Sequence, residues 1–163
     1  MARYFEDVNV GDELPELVKG PVSETQLVRY SGASGDFNPI HTVPSVAQSV
    51  GLEGIIAHGM LIMAFGGQLL TGWAGAGSVR QYKVRFSGMT RPSETVVCRG
   101  QVTEKVDDDG QALVRGRLTI KGTDDSLKLK GDFTVVLPRR PGQLANEEAL
   151  RRLVDDLNAA AHS

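Results

Sequence analysis

A change in hydrophobic period near Val79 is the feature that most constrains what this chain can fold into. From there to Leu137, apolar and polar side chains alternate in four runs, which is the period of half-buried β-strands. Turn residues at 92–93, 107–110 and 122–125 separate the runs, and the Asp-Gly pair in the second turn favours a tight hairpin. The second half of the chain therefore predicts an antiparallel meander of four long strands with one face buried.

Residues 60–70 form an uncharged segment shortly before these runs, and they are apolar nearly all round a helix. A helix with that pattern is buried on most sides. Gly66 and Gly67 each cost about 1 kcal/mol of helix propensity relative to alanine, so we expect a backbone or a ligand to lie close to them. A buried helix followed by an antiparallel meander predicts an α+β protein whose sheet wraps around a central helix, the hot-dog architecture. A generic α+β sandwich has a similar pattern and remains an alternative.

The N-terminal half predicts three short elements. Residues 5–14 are interpreted as a short edge strand and a turn, because their apolar residues alternate with polar ones until Gly11 and Asp12 break the run. Ser23 and Gln26 form a capping-box pattern at the start of a helix that we expect to end near residues 31–32. Residues 44–50 predict a second short helix, with a proline in its first turn and a glycine after its end.

The C-terminal segment differs from the strands that precede it. Pro138 ends the alternation, and Asn146 can cap a last amphipathic helix over residues 147–159. We therefore divide the chain into a hot-dog domain of residues 1–138 and a C-terminal tail of residues 139–163 that carries this short helix. The tail can dock on the sheet or on a partner, or it can fray.

Composition limits the classes of protein to consider. A chain of 163 residues suits one domain, and a formal net charge of -2 gives no overall field that attracts nucleic acid. The single cysteine, Cys98, excludes an internal disulfide and a multi-cysteine zinc site, and it fits a reducing, cytoplasmic setting. The N-terminus is unlike a signal peptide, and the apolar run is shorter than the roughly 20 residues that cross a bilayer. We predict a cytoplasmic protein with no nucleic-acid partner and no membrane span.

The candidates for chemistry lie between Tyr30 and His41. Asp36 and His41 place a carboxylate and an imidazole five positions apart, and Asn38 and Pro39 stiffen the link between them. Histidine suits acid-base catalysis near neutral pH, and an aspartate beside it can orient the ring or act as the base itself. Such a pair can hold one water molecule and move a proton in each direction. The same residues also make a good turn, so a purely structural role is the alternative.

Two motifs resemble a known family. Residues 34–41, Ser-Gly-Asp-Phe-Asn-Pro-Ile-His, and residues 57–60, Ala-His-Gly-Met, closely resemble the MaoC-like hydratase/dehydratase family. Residues 5–12 are similar to that family's usual opening, and the resemblance covers roughly residues 4–137. Within the family, the similarity is closest to the catalytic subunits of the mycobacterial (3R)-hydroxyacyl-ACP dehydratases.

This resemblance implies a hot-dog fold and reversible hydration of trans-2-enoyl thioesters, linked to CoA or acyl carrier protein, to (3R)-3-hydroxyacyl thioesters. Asp36 and His41 would be the catalytic pair. Asn38 and Gly59 would belong to the substrate site, Asn38 by supporting the loop geometry and Gly59 by binding the thioester oxygen through its N–H. No metal or other cofactor is implied. The family's hot-dog units pair, so we expect a homodimer or a heterodimer with another hot-dog subunit. Gly67 aligns with a serine that supports the aspartate in some R-specific hydratases, so that support is absent.

The implied chemistry needs a hydrogen-bond donor as well as an acid-base pair. Dehydration removes a proton from Cα and hydroxide from Cβ, while enolate-like charge develops on the thioester oxygen. The N-terminus of a buried helix offers free N–H groups and the positive end of a dipole, and glycine at position 59 lets a substrate approach the backbone. We favour His41 for the Cα proton and Asp36 for the hydroxyl or water, although the sequence leaves the reverse assignment open.

Alternative functions and residue roles remain. A hot-dog thioesterase usually has a carboxylate on or near its central helix, and residues 60–70 have none, which argues against that function. A non-catalytic acyl-binding subunit is the other alternative, and the presence of both Asp36 and His41 argues against it. We expect His58 to pack or hydrogen-bond next to the helix start, and Cys98 to lie in the core. Four basic residues can meet a CoA phosphate but are more typical of a solvated strand face: Arg80, Lys83, Arg85 and Arg91.

Overall fold

The computed structural model describes residues 3–108, 111–141, 151, 152 and 154. Within the described residues up to 141, five strands form one antiparallel sheet, and three α-helices accompany it. In chain order the elements are β1 (Leu17–Lys19), α1 (Glu24–Ser34), α2 (Pro44–Ser49), α3 (Gly59–Ala74), β2 (Val79–Phe86), β3 (Val96–Asp108), β4 (Gln111–Gly122) and β5 (Leu127–Val136), with short 3-10 helices at Phe5–Asp7 and Pro39–His41.

The sheet has the strand order β1-β3-β4-β5-β2. β3, β4 and β5 form the predicted meander, with Cys98 opposite Ile120 and Ile120 opposite Leu129. The expectation that β2 begins this meander is wrong, because β2 pairs with β5, with Tyr82 opposite Phe133. Alternation determines which face of a strand is buried, but it does not determine which strand lies next to it.

α3 packs against all five strands and is the central helix of a hot-dog fold. This confirms the predicted α+β architecture in which a sheet wraps around a buried helix. The helix is longer than the predicted residues 60–70, and its apolar side chains meet the inner face of the sheet, where each fully buried large side chain contributes about 1.5–3 kcal/mol. Side chains at this contact include Leu61, Phe65, Leu70 and Trp73 from α3 and Leu118, Ile120, Leu129 and Phe133 from the sheet.

The edge strand predicted near the N-terminus is wrong. The chain there forms the 3-10 helix Phe5–Asp7 and touches the sheet through an isolated bridge between Glu13 and Gln101. Val8 is fully buried and Val10 is exposed, so the alternation reflects a loop anchored to the core rather than a strand. The edge strand on this side of the sheet is β1.

α1 begins as predicted, because Ser23 Oγ accepts a hydrogen bond from the Gln26 N–H (3.1 Å). It runs past its predicted end to Ser34 and stops at Gly35, whose φ of 74° lies in the left-handed region that favours glycine. α2 has the predicted proline in its first turn. The extra length of α1 places Asp36 directly after the end of the helix.

The domain boundary at residue 138 stays a prediction. Arg139 forms ion pairs with Glu6 and Asp107, so the first residue of the proposed tail lies against the domain. Most of the helix predicted at residues 147–159 lies outside the described residues, and those that are described within it are helical. In the described part of the chain, none of the helices combines the length and apolar character needed to cross a bilayer.

Candidate active site

The loop after α1 is ordered by its own short-range hydrogen bonds. Ser34 Oγ accepts a bond from the Asp36 N–H (3.2 Å), and Asp36 Oδ1 accepts one from the Asn38 N–H (3.2 Å). Asn38 Oδ1 accepts a bond from the Ile40 N–H (3.3 Å) and caps the 3-10 helix Pro39–His41. Asn38 therefore fixes the path of the chain between the two candidate catalytic residues. Its membership of a substrate site stays a prediction.

The structure brings the predicted pair together, with His41 Nε2 lying 3.9 Å from Asp36 Oδ2. The His41 side chain is 9% exposed and that of Asp36 is 49% exposed, so the ring is fixed within the protein and the carboxylate reaches the surface. His41 Nδ1 lies 2.8 Å from the carbonyl oxygen of Ile56, which can only accept a hydrogen bond, so Nδ1 carries a proton. In the neutral ring, Nε2 therefore has a free lone pair on the side of the carboxylate.

The distance between these two atoms suits a shared oxygen. At 3.9 Å, His41 Nε2 and Asp36 Oδ2 are too far apart for a direct hydrogen bond. One oxygen atom can contact both, because two hydrogen bonds of about 2.8 Å close a triangle over that gap. A water molecule or a β-hydroxyl group held there can exchange protons with both groups from one side of a substrate.

His58 lies behind this pair and is 1% exposed. Its ring stacks on that of His41, with centroids 3.9 Å apart and planes at 27°. Its Nε2 donates a hydrogen bond to the backbone carbonyl of Asp36 (3.2 Å) and lies 3.1 Å from Ser31 Oγ. Burial lowers the pKa of His58, against the opposing effect of the bond to Asp36.

The position of His58 is partly as the sequence predicts, because it packs and hydrogen-bonds next to the start of α3. Sequence reasoning missed that it contacts both candidate catalytic residues. The signal that could have found it is the His58-Gly59 pair at the start of the central helix, since a histidine there adjoins the proposed oxygen-binding N–H.

Gly59 is the first residue of α3, so its N–H has no acceptor within the helix. It is exposed, and the ring of Phe86 packs closely over it, because a Cβ at position 59 would lie 3.2 Å from Phe86 Cε1. An N–H at the positive end of a helix dipole can stabilise an oxygen that gains negative charge. The assignment of this N–H to the thioester oxygen stays a prediction.

Large apolar side chains are exposed beside both parts of the site. Phe37 follows Asp36 and is 70% exposed, and Met60 follows Gly59 and is 55% exposed. Phe86, which packs over Gly59, is 48% exposed. Exposed apolar groups of this size beside an acid-base pair indicate a binding surface. They can contact an acyl chain or a second protein.

The two glycines within α3 have different surroundings. The hydroxyl of Tyr82 occupies the space that a Cβ on Gly66 would need, and it donates a hydrogen bond to the carbonyl of Met63 (3.3 Å). A Cβ on Gly67 would meet no described atom within 4 Å. The close neighbour expected for both glycines is thus found only at Gly66, and it is a side chain rather than a backbone or a ligand.

The donor groups at the site suit proton transfer better than metal binding. One ligand atom from each of Asp36, His41 and His58 lies within 4.8 Å of the others. However, His41 Nδ1 and His58 Nε2 both donate to backbone carbonyls, so a metal ion would have to displace one of these bonds or reach the buried His58 Nδ1. Cys98 offers no second nucleophile, because burial raises the pKa of its thiol to about 12.

A basic concavity lies elsewhere, on the outer face of the sheet. Its volume is about 530 Å³, and its charged lining residues are Lys83, Arg85, Arg117, Asp132 and Lys130. Arg85 and Lys130 lie directly opposite each other on β2 and β5. This face includes two residues considered above for a phosphate group, and its lining includes neither Asp36 nor His41, so it is separate from the candidate active site.

Fold and site together define a hot-dog protein with an aspartate–histidine pair beside the N-terminus of its central helix. The MaoC like domain family matches residues 7–123, and the chain belongs to this family.

Similar proteins cover most of the chain. The (R)-specific enoyl-CoA hydratase of Rhodospirillum rubrum is 31% identical over 139 residues, which are 84% of this chain and 93% of the relative. The 3-hydroxybutyryl-CoA dehydratase of Methylorubrum extorquens is 30% identical over 141 residues, 84% of this chain and 85% of the relative. The unliganded R-hydratase PhaJ1 of Pseudomonas aeruginosa shares the fold, with a TM-score of 0.75 and 22% identity over 84% of this chain and 86% of that chain. The chain also matches fungal fatty acid synthase β subunits, but it spans only 6% of the one from Emericella nidulans.

Proposed function

We propose that this protein catalyses the reversible hydration of trans-2-enoyl thioesters to (3R)-3-hydroxyacyl thioesters. The observation that carries the proposal is the placement of His41 Nε2 3.9 Å from Asp36 Oδ2. Nδ1 of the same ring donates a hydrogen bond to the Ile56 carbonyl. This geometry leaves one basic nitrogen and one carboxylate oxygen facing a common point. The similarity to an (R)-specific enoyl-CoA hydratase and a 3-hydroxybutyryl-CoA dehydratase supports the same reaction.

In the hydration direction, the Asp36 carboxylate takes a proton from the attacking water as its oxygen forms a bond to Cβ. The protonated His41 delivers the Nε2 proton to Cα, and the double bond becomes a single bond. A proton then passes from Asp36 to His41 through a water molecule that bridges the 3.9 Å between them, which restores both groups. Dehydration follows the same steps in reverse, and both proton transfers occur on one face of the substrate. Acid-base groups placed in this way typically contribute about 10²–10⁴-fold to a rate.

The thioester oxygen gains negative charge while the bond at Cα changes. We assign this oxygen to the N–H of Gly59, which has no acceptor within α3 and lies at the positive end of its dipole. The exposed side chains of Phe37, Met60 and Phe86 supply apolar surface for the acyl chain. Asn38 contributes indirectly, by capping the 3-10 helix that carries His41.

The carrier of the acyl group is CoA or acyl carrier protein. Because successive side chains of a strand point to opposite faces, Arg85 lies across the sheet from the Phe86 ring that packs over Gly59, and it belongs to the basic outer face. Phosphate or carboxylate groups of either carrier would be attracted to that face. Comparing the rates with the same acyl group on CoA and on acyl carrier protein distinguishes the two.

We further propose that two hot-dog units pair, as a homodimer or as a heterodimer with another hot-dog subunit. β2 lies at one edge of the described sheet, so its 8 residues have unpaired backbone groups on one side. The exposed Phe86 extends this edge toward the candidate site. Sedimentation of the purified protein measures its oligomeric mass and so tests for a homodimer. The same measurement after coexpression with a hot-dog protein encoded by a neighbouring gene tests for a heterodimer. A cytoplasmic location and the absence of nucleic-acid and membrane partners remain predictions.

The function is tested by adding a trans-2-enoyl-CoA to the purified protein and following the loss of enoyl absorbance. We expect Asp36→Asn and His41→Ala to reduce the rate by at least about 100-fold. Asp125→Asn is the matched control, because it makes the same carboxylate-to-amide change in a distant turn where the left-handed backbone tolerates asparagine. Rates that are unchanged in both site variants would contradict the proposal. Release of free thiol would instead favour a thioesterase, and binding without turnover would favour an acyl-binding subunit.

A further inference from the structure

His58 adjoins Asp36, His41 and Gly59 although it is only 1% exposed. Its ring stacks on His41, with a centroid distance of 3.9 Å, and its Nε2 lies 3.2 Å from the carbonyl oxygen of Asp36. Its own peptide unit leads into Gly59, the first residue of α3. This buried residue therefore contacts the His41 ring and the backbone of Asp36, and it directly precedes the proposed oxygen-binding N–H.

Hydrogen bonding fixes the protonation of the His58 ring. A carbonyl oxygen only accepts, so Nε2 carries the proton that it donates to Asp36. Because burial lowers the pKa of His58, the ring is neutral near neutral pH and this is its single nitrogen-bound proton. Nδ1 is then an unprotonated, buried nitrogen without a hydrogen-bond partner among the described residues.

Packing alone does not account for a histidine at this position. A buried polar atom without a partner costs stability, and a phenylalanine ring has a similar shape without that atom. The edge-on contact of Tyr30 with His58, at a centroid distance of 5.0 Å, needs only a ring. What distinguishes histidine here is its Nε2–H, which faces the Asp36 carbonyl and the Ser31 hydroxyl.

We propose that His58 is a positioning residue for the hydration reaction, an inference that rests on the proposed function. Its Nε2–H holds the backbone of Asp36, and its ring lies flat against His41, so that the carboxylate and the basic nitrogen converge on the same reacting atoms. A neutral ring suits this place, because a second cation stacked on protonated His41 would oppose proton uptake there. His58 itself is too deeply buried to touch substrate.

Two substitutions separate the ring from its donor. His58→Phe keeps a stacking ring and removes the N–H, whereas His58→Gln keeps an amide N–H and removes the ring. In His58→Phe we expect kcat to fall by about 10–100-fold, since small displacements of catalytic groups have effects of this size, while KM changes by less than about threefold. We expect kcat of His58→Gln to lie between those of His58→Phe and the wild type.

Urea unfolding of the same preparations shows whether lost activity reflects lost folded protein. A folded His58→Phe variant with the wild-type kcat overturns the proposal, and so does a loss of kcat that merely equals the loss of folded protein. If His58→Phe does not fold, His58→Asn replaces it, because its shorter amide does not reach the Asp36 carbonyl. If His58→Gln is no more active than His58→Phe, or than His58→Asn where that variant replaces it, the proposed role of the hydrogen bond is contradicted.

Nuclear magnetic resonance of the histidine side chains tests the geometry independently of turnover. The chain has only three histidines, so their ring nitrogens can be assigned by substitution. We expect neutral His58 to be protonated at Nε2 and neutral His41 at Nδ1. A His58 ring protonated at Nδ1 instead overturns the inference, because it cannot then donate to Asp36. If the wild-type protein hydrates no enoyl thioester, the proposed function fails, and this spectrum still reports whether His58 holds the Asp36 backbone.

Discussion

The carbonyl oxygen of Ile56 lies 2.8 Å from His41 Nδ1 and so determines which nitrogen of that ring is basic. With Nδ1 protonated, the lone pair of the neutral imidazole is on Nε2, the atom that faces Asp36. Ile56 belongs to the segment that leads into α3, whereas His41 ends the 3-10 helix after α1. The acid-base pair therefore depends on the packing of two separate segments of the chain.

His41→Asn tests this dependence. The asparagine amide can replace the Nδ1–H donor to Ile56, but it has no base at the position of Nε2. We expect the free energy of unfolding to change by less than about 1 kcal/mol, the worth of one ordinary hydrogen bond, while kcat/KM falls by about 10²–10⁴-fold. Urea unfolding and enoyl hydration assays measure the two quantities. A variant that retains more than a tenth of the wild-type kcat/KM would show that Nε2 does not transfer the Cα proton.

A pair of substitutions at Gly59 isolates its N–H. Gly59→Pro removes the N–H at the first helical position, where proline is tolerated, and Gly59→Ala keeps it. Both add a Cβ against Phe86, so the steric effect of that atom is matched. If the N–H binds the developing oxyanion, kcat of Gly59→Pro should be lower than that of Gly59→Ala by about 100-fold, equivalent to about 3 kcal/mol. Equal kcat values in the two variants would remove this N–H from the mechanism.

Gly66→Ala and Gly67→Ala should change stability in opposite directions. The methyl group at position 66 meets the Tyr82 hydroxyl, and overpacking of this kind costs about 1–3 kcal/mol. The methyl group at position 67 meets open space in the described structure, so the higher helix propensity of alanine should stabilise by about 0.5–1 kcal/mol. Urea unfolding measures the change in stability of each variant. Adding Tyr82→Phe to Gly66→Ala should recover part of the lost stability, because it removes the hydroxyl that the methyl group meets. Destabilisation of equal size at the two positions would be inconsistent with this packing.

Stability should fall at mildly acidic pH through His58. Its native pKa lies below the ordinary histidine value of about 6.5, so the unfolded chain binds this proton more readily than the native protein. The free energy of unfolding should therefore decrease as pH falls below about 6.5, until the lowered native pKa is passed. His58→Phe lacks this contribution, so its decrease between about pH 7.5 and 5.5 should be smaller. Parallel losses in the wild type and the variant would mean that burial does not lower this pKa.

The strand pattern could be predicted from the sequence because it depends on local alternation. Leu118 and Ile120 are buried while Arg117 is exposed, as the period of two requires. The position of β2 beside β5 could not be predicted, because alternation determines which face of a strand is buried and not which strand lies next to it. The same limit applies at Val8 and Val10, where an anchored loop shows the alternation of a strand.

The candidate site was predictable where its residues are close in sequence. Asp36, Asn38 and His41 lie on one short loop, so a motif can specify them together. The contacts that hold His41 in place come from distant segments. The Ile56 carbonyl accepts a hydrogen bond from its Nδ1, and the His58 ring stacks on its ring. Those contacts depend on tertiary packing, which a local motif does not describe.

The stereochemical course of hydration in D2O tests the central claim most directly, namely that one pair on one face of the substrate makes both proton transfers. Asp36 Oδ2 and His41 Nε2 are only 3.9 Å apart, so hydroxyl and deuterium should add to the same face of a trans-2-enoyl-CoA. We predict a single diastereomer of 3-hydroxyacyl-CoA, formed by syn addition with the R configuration at C3. A product of anti addition, or one with the S configuration at C3, would contradict the account.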